Sequence, residues 1–148
     1  MEQTITHSLW WVLPDQLAGV RKPTADELME LRTCGIGALV SVMDDPSNLD
    51  LYERSHLPHL WLPVQGGTAP TAEQIAALST FVTTQNAQGR AVAVHCSSGR
   101  RRTGTFLAAY LIARGQSFEE ALQTILTANP QVELRDAQLR FLREFAGK

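Results

Sequence analysis

Short apolar runs alternate with longer amphipathic stretches along this chain. Residues 91–94 are all apolar and follow Gly89, which predicts a strand buried on both faces of a parallel sheet. Residues 103–114 are rich in Leu, Ala, Phe and Ile and meet no breaker before Gly115, which predicts a helix. The same patterns predict further strands at residues 10–13, 16–18, 36–42 and 59–62, and further helices at residues 24–34, 71–88, 117–129 and 134–145. We therefore expect an α/β fold with a central, mainly parallel sheet flanked by helices.

Polar residues mark the ends of several of these elements. Thr24 and Glu27 form a capping box that opens a helix, and Gly35 is expected to close it. The acidic segment 43–53 is predicted to be a loop at the carboxyl end of a strand, the end at which open α/β sheets carry their active face. The residues of the first helix expected to reach the core are Leu28, Met29 and Leu31.

The bulk composition fits one domain and limits its partners. With 44% hydrophobic residues, the 148 residues suffice for one core, so residues 1–148 are predicted to form a single domain. A net charge of -2 and a pI of about 6.1 indicate no general affinity for nucleic acid or anionic membranes. Residues 1–4 lack the basic and apolar pattern of a leader, and no apolar run approaches the roughly 18 residues of a membrane helix. We expect a cytoplasmic monomer without stable membrane insertion.

The string H-C-S-S-G-R-R-R-T-G, residues 95–104, lies between the buried strand and the helix that follows it. At the carboxyl end of a strand and the amino end of a helix, free backbone N–H groups and the helix dipole favour an anion. The loop is therefore predicted to cradle a phosphate. The residues predicted to bind it are Ser97, Ser98, Gly99, Arg100, Arg101 and Arg102.

Cys96 is the candidate nucleophile of this loop. Helix-terminal amides and arginines around a cysteine favour the thiolate at neutral pH, although a free thiol has a pKa of about 8.5. Arg102 can bind two phosphoryl oxygens with its planar guanidinium and hold the phosphorus in line with the sulfur. Thr103 can donate a hydrogen bond to the departing sulfur, and His95 is expected to shape the loop rather than act as a base.

Two plainer interpretations of Cys96 compete with catalysis. A lone cysteine is often a small buried hydrophobe, but three consecutive arginines do not suit a packed core beside an inert thiol. A zinc site would need paired ligand spacing, which Cys34 and Cys96 lack. No metal and no cofactor are expected, because the sulfur itself supplies the chemistry.

The motif H-C-x5-R-T-G at residues 95–104 resembles the signature of cysteine-dependent protein tyrosine phosphatases, and the chain looks most like the small atypical dual-specificity phosphatases. Residues 11–19, 39–42 and 132–138 resemble further parts of that group. The resemblance implies a phosphatase-like α/β fold and hydrolysis of phosphotyrosine, with phosphoserine and phosphothreonine as further substrates, through a phosphocysteine intermediate. The implied partner is a phosphorylated protein.

The sequence departs from this family at the general acid. The resemblance implies an aspartate in the loop after the third core strand, but residues 62–70 contain no carboxylate. Asp44 or Asp45 on the neighbouring loop is one candidate acid, against the alternative that both belong to a solvated turn before Pro46. Glu73 is another candidate, and a third explanation is a substrate whose leaving group needs little protonation. Candidate residues for positioning water are Gln65 and Gln138.

Arg100 and Arg101 flank the required Arg102 and suggest a multiply anionic substrate, such as a phosphoinositide headgroup or a doubly phosphorylated peptide. The alternative is that they turn outward and pair with the acidic loop. Because the usual acid is missing, a phosphate-binding module without turnover is a third functional hypothesis.

Cys34 and two histidines complete the candidate chemistry. Cys34 is expected to have a packing role at the end of the first helix. The alternative is a functional role, in which Cys34 forms a protective disulfide with Cys96. His56 and His59 lie in a proline-containing stretch, so packing or solvated roles are expected rather than metal binding.

Overall fold

A computed structural model describes residues 4–147 and contains a five-stranded, mainly parallel sheet. The strands are β1 (Trp10–Leu13), β2 (Leu17–Val20), β3 (Ile36–Ser41), β4 (His59–Trp61) and β5 (Ala91–His95). Their order across the sheet is β1-β2-β5-β3-β4, and only the β1–β2 pair is antiparallel. The predicted α/β fold is confirmed, with each strand within two residues of its predicted bounds. Residues 1–3, part of the segment examined for a leader pattern, lie outside the described residues.

Six α-helices cover the two faces of the sheet within residues 4–147. They are α1 (Leu28–Thr33), α2 (Leu49–Arg54), α3 (Ala72–Ala87), α4 (Arg101–Ala113), α5 (Phe118–Ala128) and α6 (Asp136–Ala146). Helices α1 and α2 cover one face, where the smaller apolar cluster lies, and helices α3 to α6 cover the other, where the larger one lies. No helix of these residues has both the length and the apolar character needed to span a bilayer.

Strand β5 is buried on both faces, as its unbroken apolar run predicts. Val92 and Val94 belong to the larger cluster, whereas Ala91 and Ala93 belong to the smaller one on the opposite face. Side chains alternate between the two faces of a strand, so a central strand of a covered parallel sheet must be apolar throughout. Both neighbours of β5 run parallel to it, and its carboxyl end therefore opens at the same edge as theirs.

Capping contacts confirm three predicted helix starts, at Thr24, Thr71 and Ser117, although Thr24 opens the 3₁₀ turn Ala25–Glu27 and α1 itself begins at Leu28. The hydroxyls of Thr71 and Ser117 each accept a hydrogen bond, at 3.1 Å, from the amide three residues on. The amide of Thr24 donates to Glu27 Oε1 at 2.9 Å, which completes the predicted box. Three of the turns that close helices contain a glycine with positive φ: Gly35, Gly89 and Gly115.

Two expectations about the amino-terminal half are wrong. Met29 is 67% exposed rather than buried, because α1 is only six residues long and turns Leu28 and Leu31, three positions apart, toward the sheet. Residues 43–53 are not entirely loop, since α2 begins at Leu49. Burial of Tyr52 against the sheet stabilises this short helix, which local polarity alone does not predict.

Trp10 links the sheet edge to the phosphate loop. Its indole lies over Gly19 of the paired strand, where a Cβ atom would stand 2.4 Å from Trp10 Cε2. From there Trp10 Nε1 donates a buried hydrogen bond of 3.1 Å to the carbonyl of Gly99. The absent side chain at position 19 thus lets the indole pack flat against β2 and reach the loop.

Gly19→Ala is expected to displace this indole and to lower the free energy of unfolding by about 1–3 kcal/mol, the usual cost of overpacking. Urea unfolding followed by tryptophan fluorescence measures the effect. Gly66→Ala is the matched control, because a Cβ atom there meets nothing within 4 Å. Equal stability of the two variants would contradict the packing role assigned to Gly19.

Candidate active site

The loop between β5 and α4 stands at the sheet edge where the parallel strands end. Cys96, Ser97, Ser98, Arg100, Arg101 and Arg102 line a cavity of about 620 Å³ there. Gly99 and Thr103 lie behind this lining and act on Cys96 through hydrogen bonds. The structure therefore brings together the loop residues predicted from the motif.

Cys96 is 3% exposed, yet it lines the cavity. Burial by itself raises the pKa of this thiol. The Thr103 hydroxyl, which donates to Sγ at 3.2 Å, and the amides of Thr103, Gly99 and Arg100 outweigh burial, so the pKa of Cys96 lies below its ordinary value. These donors stabilise the thiolate, which is the reactive form of a cysteine.

Gly99 allows the loop to take this path. Its φ is +75°, and a Cβ atom there would stand 2.4 Å from the backbone carbonyl of Val20. Both the left-handed conformation and the close approach exclude a side chain. The amide of Lys22 also donates to the carbonyl of Ser97 at 3.2 Å, so the segment after β2 holds the loop in place.

His95 lies in a buried hydrogen-bond chain behind the loop. Asn48 Nδ2 donates to the Tyr52 hydroxyl at 3.0 Å, the hydroxyl donates to His95 Nε2 at 2.8 Å, and His95 Nδ1 faces the Cys96 carbonyl at 3.3 Å. Burial lowers the pKa of His95 to about 4, so the ring is neutral at neutral pH. A neutral imidazole with both nitrogens engaged orients the Cys96 backbone, in keeping with a loop-shaping role.

Arg102 is held against the side of the cavity. One terminal nitrogen, Nη1, donates to the Val64 carbonyl at 2.9 Å and lies 3.4 Å from Asp44 Oδ1. The other, Nη2, lies 3.5 Å from Ser97 Oγ in the phosphate loop. The guanidinium is thus fixed on one side and presents its remaining donors to the loop, the arrangement that phosphate binding requires.

The carboxylates predicted as acids lie outside the residues that line the cavity. Asp44 is about half exposed and faces Arg102, where it can position that guanidinium. Asp45 is exposed, and its Oδ1 accepts from the hydroxyl and the amide of Ser47. These two bonds lower the pKa of Asp45. A lowered pKa disfavours the protonated form that a general acid needs, so the structure favours the interpretation of Asp45 as part of a solvated turn. Glu73 lies exposed in the first turn of α3.

The segment between α5 and α6 completes the cavity and was missed as a site element. It contributes Gln131, Glu133 and Arg135, in a stretch that the sequence indicates only as the approach to the last helix. Arg100 Nη2 donates to Gln131 Oε1 at 3.0 Å, and Arg101 Nε donates to the Glu133 carbonyl at 3.3 Å. The proposed outward pairing of these two arginines with the acidic loop is therefore wrong.

Gln138 braces the cavity rather than facing it. This side chain is fully buried, and its Oε1 accepts from the Arg135 amide at 2.9 Å. Its Nε2 donates to the Thr68 carbonyl at 3.3 Å and so ties α6 to the loop after β4. Gln65 is exposed in that loop, outside the residues that line the cavity, which there include Gly66 and Gly67.

A disulfide between Cys34 and Cys96 is excluded by the sheet. Cys34 precedes β3 and Cys96 follows β5, and these strands are parallel with Ile36 opposite Ala91. The two cysteines therefore lie at opposite ends of the sheet, at least about 13 Å apart at about 3.3 Å per residue. A disulfide requires Cα atoms within about 7 Å. Cys34 instead packs 3.9 Å from Thr6 Oγ1.

The two histidines do not face each other as a metal pair. His56 is exposed and has a positive φ of 55° at the end of α2. His59 lies in β4, with Nδ1 2.9 Å from the Leu57 carbonyl and its ring against Tyr52. Both take structural or solvated positions.

Thr103→Val is expected to raise the pKa of the Cys96 thiol by about 1–2 units, because a hydrogen bond to a charged group contributes about 1.5–3 kcal/mol. The rate of alkylation by iodoacetamide rises with pH through the thiol pKa, so its midpoint reports this value. In the unaltered protein the midpoint should fall below that of a free cysteine thiol. Thr105→Val, which removes a hydroxyl bonded to the Arg101 carbonyl, is the matched control. An unshifted midpoint in Thr103→Val would refute the role of that hydroxyl.

Comparison with known proteins places this site in a family. The mouse phosphatidylglycerophosphatase and protein-tyrosine phosphatase 1 is 38% identical over 77 residues, which are 51% of this chain and 40% of the mouse protein. Phosphatidylglycerophosphate phosphatase PTPMT2 of Arabidopsis thaliana is 26% identical over 144 residues, 93% of this chain and 63% of that protein. The chain thus spans about two fifths to two thirds of the length of these relatives.

A solved structure and a family pattern indicate the same kind of protein as these relatives. The crystal structure of Tk-PTP in the active form superposes with a TM-score of 0.85 at 28% identity, over 95% of this chain and 97% of that one. The family pattern described as "Polymorphic toxin system, DSP-PTPase phosphatase" matches residues 16–116, which include the phosphate loop. The chain belongs to this DSP-PTPase phosphatase family, within the cysteine-dependent protein tyrosine phosphatases.

Proposed function

We propose that this protein hydrolyses phosphate monoesters that carry a second anionic group beside the scissile phosphate, as phosphorylated phospholipid headgroups do. The observation that carries the proposal is the charge of the cavity over Cys96. Four arginines line it among the residues that the structure describes, namely Arg100, Arg101, Arg102 and Arg135, against one carboxylate, Glu133. The family assignment favours turnover over a module that only binds phosphate.

The proposed reaction begins with attack of the Cys96 thiolate on phosphorus. An S–P bond forms while the ester P–O bond breaks, and the leaving alcohol takes a proton. The loop amides and Arg102 bind the phosphoryl oxygens as negative charge develops on them. Water then attacks the phosphocysteine, the S–P bond breaks, and Thr103 stabilises the sulfur that leaves as a thiolate.

Arg102 alone accounts for one phosphate, so the other arginines need a further role. Arg100 and Arg101 are bonded to the segment between α5 and α6, and Arg135 belongs to that segment itself. Several cations held in one cavity repel each other unless an anion neutralises them, and a second anionic group on the substrate supplies that charge. The names of the mouse and Arabidopsis relatives, which include phosphatidylglycerophosphatase and phosphatidylglycerophosphate phosphatase, support a substrate of this chemistry.

Phosphotyrosine in proteins is the second candidate substrate. The mouse relative's name includes protein-tyrosine phosphatase as well. Cys96 is only 3% exposed, and an aryl ring holds its phosphate far enough from a peptide backbone to reach such a sulfur. The shorter side chains of phosphoserine and phosphothreonine reach less far and are disfavoured by the same geometry.

Arg135→Met is expected to lower kcat/KM at least tenfold for vesicles containing phosphatidylglycerophosphate, because a hydrogen bond to a charged group contributes about 1.5–3 kcal/mol. The same change should affect p-nitrophenyl phosphate, which lacks a second anion, by less than about threefold. Arg140→Met, on the exposed part of α6, is the matched control.

Cys96→Ser should abolish hydrolysis of every substrate, and Arg102→Lys should impair all of them, since both residues act on the transferred phosphoryl group. A higher kcat/KM of the unaltered protein for a phosphotyrosine peptide than for the lipid would contradict the proposal in favour of the second candidate. Equal losses of Arg135→Met on all three substrates would also contradict it.

A further inference from the structure

The reaction proposed above needs a proton donor for the leaving alcohol, and the loop after β4 offers none in residues 62–70. We propose that Glu133, in the segment between α5 and α6, is the general acid and then the general base of this site. This inference rests on the proposed phosphatase activity but not on the charge of the preferred substrate.

Glu133 is the one carboxylic acid that lines the cavity with Cys96 among residues 4–147. Asp44 faces Arg102 at 3.4 Å, and the Oδ1 of Asp45 accepts hydrogen bonds from Ser47. Glu73 lies outside the residues that line the cavity. Of these four carboxylates, Glu133 alone shares the lining with the sulfur that the substrate must approach.

The backbone at Glu133 is fixed against the helix that carries the phosphate loop. Arg101 Nε donates to the Glu133 carbonyl at 3.3 Å. The preceding residue, Val132, is 5% exposed and packs so close to α4 that a Cβ atom at Gly104 would stand 3.0 Å from its Cγ1. Because the backbone of Glu133 is anchored in this way, its Cα atom has a defined position. Proton transfer to a bound substrate requires such positioning of the acid.

The Glu133 side chain is exposed and forms no ion pair with any residue that the structure describes. Glu27, by contrast, is held by Arg21, whose Nη2 lies 2.6 Å from its Oε2. The side chain of Glu133 is therefore not held away from a bound substrate by an ion pair.

The segment of Glu133 also touches the loop in which the family's aspartate is expected. A Cβ atom at Gly67 would stand 3.7 Å from Arg135 Cδ, and Gln138 donates to the Thr68 carbonyl at 3.3 Å. Gly66 and Gly67 line the same cavity as Glu133. The segment that contains Glu133 packs against the loop that lacks an acid. Glu133 therefore lines the cavity next to that loop.

The proton balance closes over the two steps. In the first step the Glu133 carboxyl proton passes to the ester oxygen as the P–O bond breaks, which leaves a carboxylate. In the second step this carboxylate takes a proton from the water that attacks phosphorus, and the P–S bond breaks. The thiolate of Cys96 and the carboxylic acid of Glu133 are restored, and inorganic phosphate leaves.

This assignment predicts a bell-shaped dependence of the rate on pH. The charged groups that share the cavity with Glu133 are Arg100, Arg101 and Arg102 from the phosphate loop and α4, Arg135 from its own segment, and the Cys96 thiolate. Activity requires a protonated Glu133 together with an ionised Cys96. The rate should therefore rise with pH as the thiol ionises and fall as Glu133 loses its proton.

The test is Glu133→Gln assayed on phosphate monoesters without a second anion, from p-nitrophenyl phosphate to alkyl phosphates. We expect kcat/KM to fall about 10²- to 10³-fold for alkyl esters and less than tenfold for p-nitrophenyl phosphate, whose leaving group needs little protonation. The basic limb of the pH profile should disappear, and Glu133→Asp should restore part of the rate. Glu144→Gln, exposed on α6, is the matched control, and Asp44→Asn tests the rival acid.

A loss of equal size across all leaving groups, with the basic limb intact, would overturn the assignment and leave Glu133 with a binding role. A leaving-group-dependent loss in Asp44→Asn and none in Glu133→Gln would overturn it in favour of Asp44. Because these esters carry one phosphate, the outcome is independent of the preference for polyanionic substrates. If the unaltered protein hydrolyses none of them, nor any lipid or peptide substrate, the proposed function fails as well.

Discussion

The balance between burial and hydrogen bonding at the Cys96 sulfur governs the rest of this site. Burial opposes ionisation, whereas the Thr103 hydroxyl and three backbone amides favour it, and the net effect lowers the thiol pKa. The amides converge only because the loop turns sharply at Gly99, where φ is +75° and Val20 leaves no room for a side chain. Trp10 holds that turn from the sheet edge at 3.1 Å. The lowered pKa of the Cys96 thiol thus depends on the fold around it.

The cavity over Cys96 concentrates positive charge from four arginines that the structure describes. Arg102, which we propose binds the phosphoryl group, is positioned by contacts with Asp44 and the Val64 carbonyl. Arg100, Arg101 and Arg135 line the same cavity, in a chain whose net charge is -2. A local excess of positive charge on an acidic protein attracts anionic ligands to this cavity rather than to the surface at large.

Patterns within one stretch of sequence predicted most of the fold and the centre of the site. The unbroken apolar run of β5, the capping box of Thr24 and Glu27, and the motif at residues 95–104 each depend on residues that are close together in the sequence. Arg135 and Glu133 could not be found in this way, because they lie beyond the motif and reach the cavity only through packing of Val132 against α4. Helix α2 escaped prediction for a related reason: burial of Tyr52, not local polarity, stabilises it. The idea of a Cys34–Cys96 disulfide failed because sequence spacing does not say which end of a sheet a residue occupies.

The proposed reaction depends on an ionised Cys96 that accepts the phosphoryl group. The most direct measurement is rapid acid quench of the protein during turnover of p-nitrophenyl phosphate, followed by peptide mass spectrometry. We expect a phosphoryl group on the peptide that contains Cys96, formed at least as fast as turnover and absent in Cys96→Ser. Turnover without any adduct, or with the phosphoryl group on another residue, would contradict it.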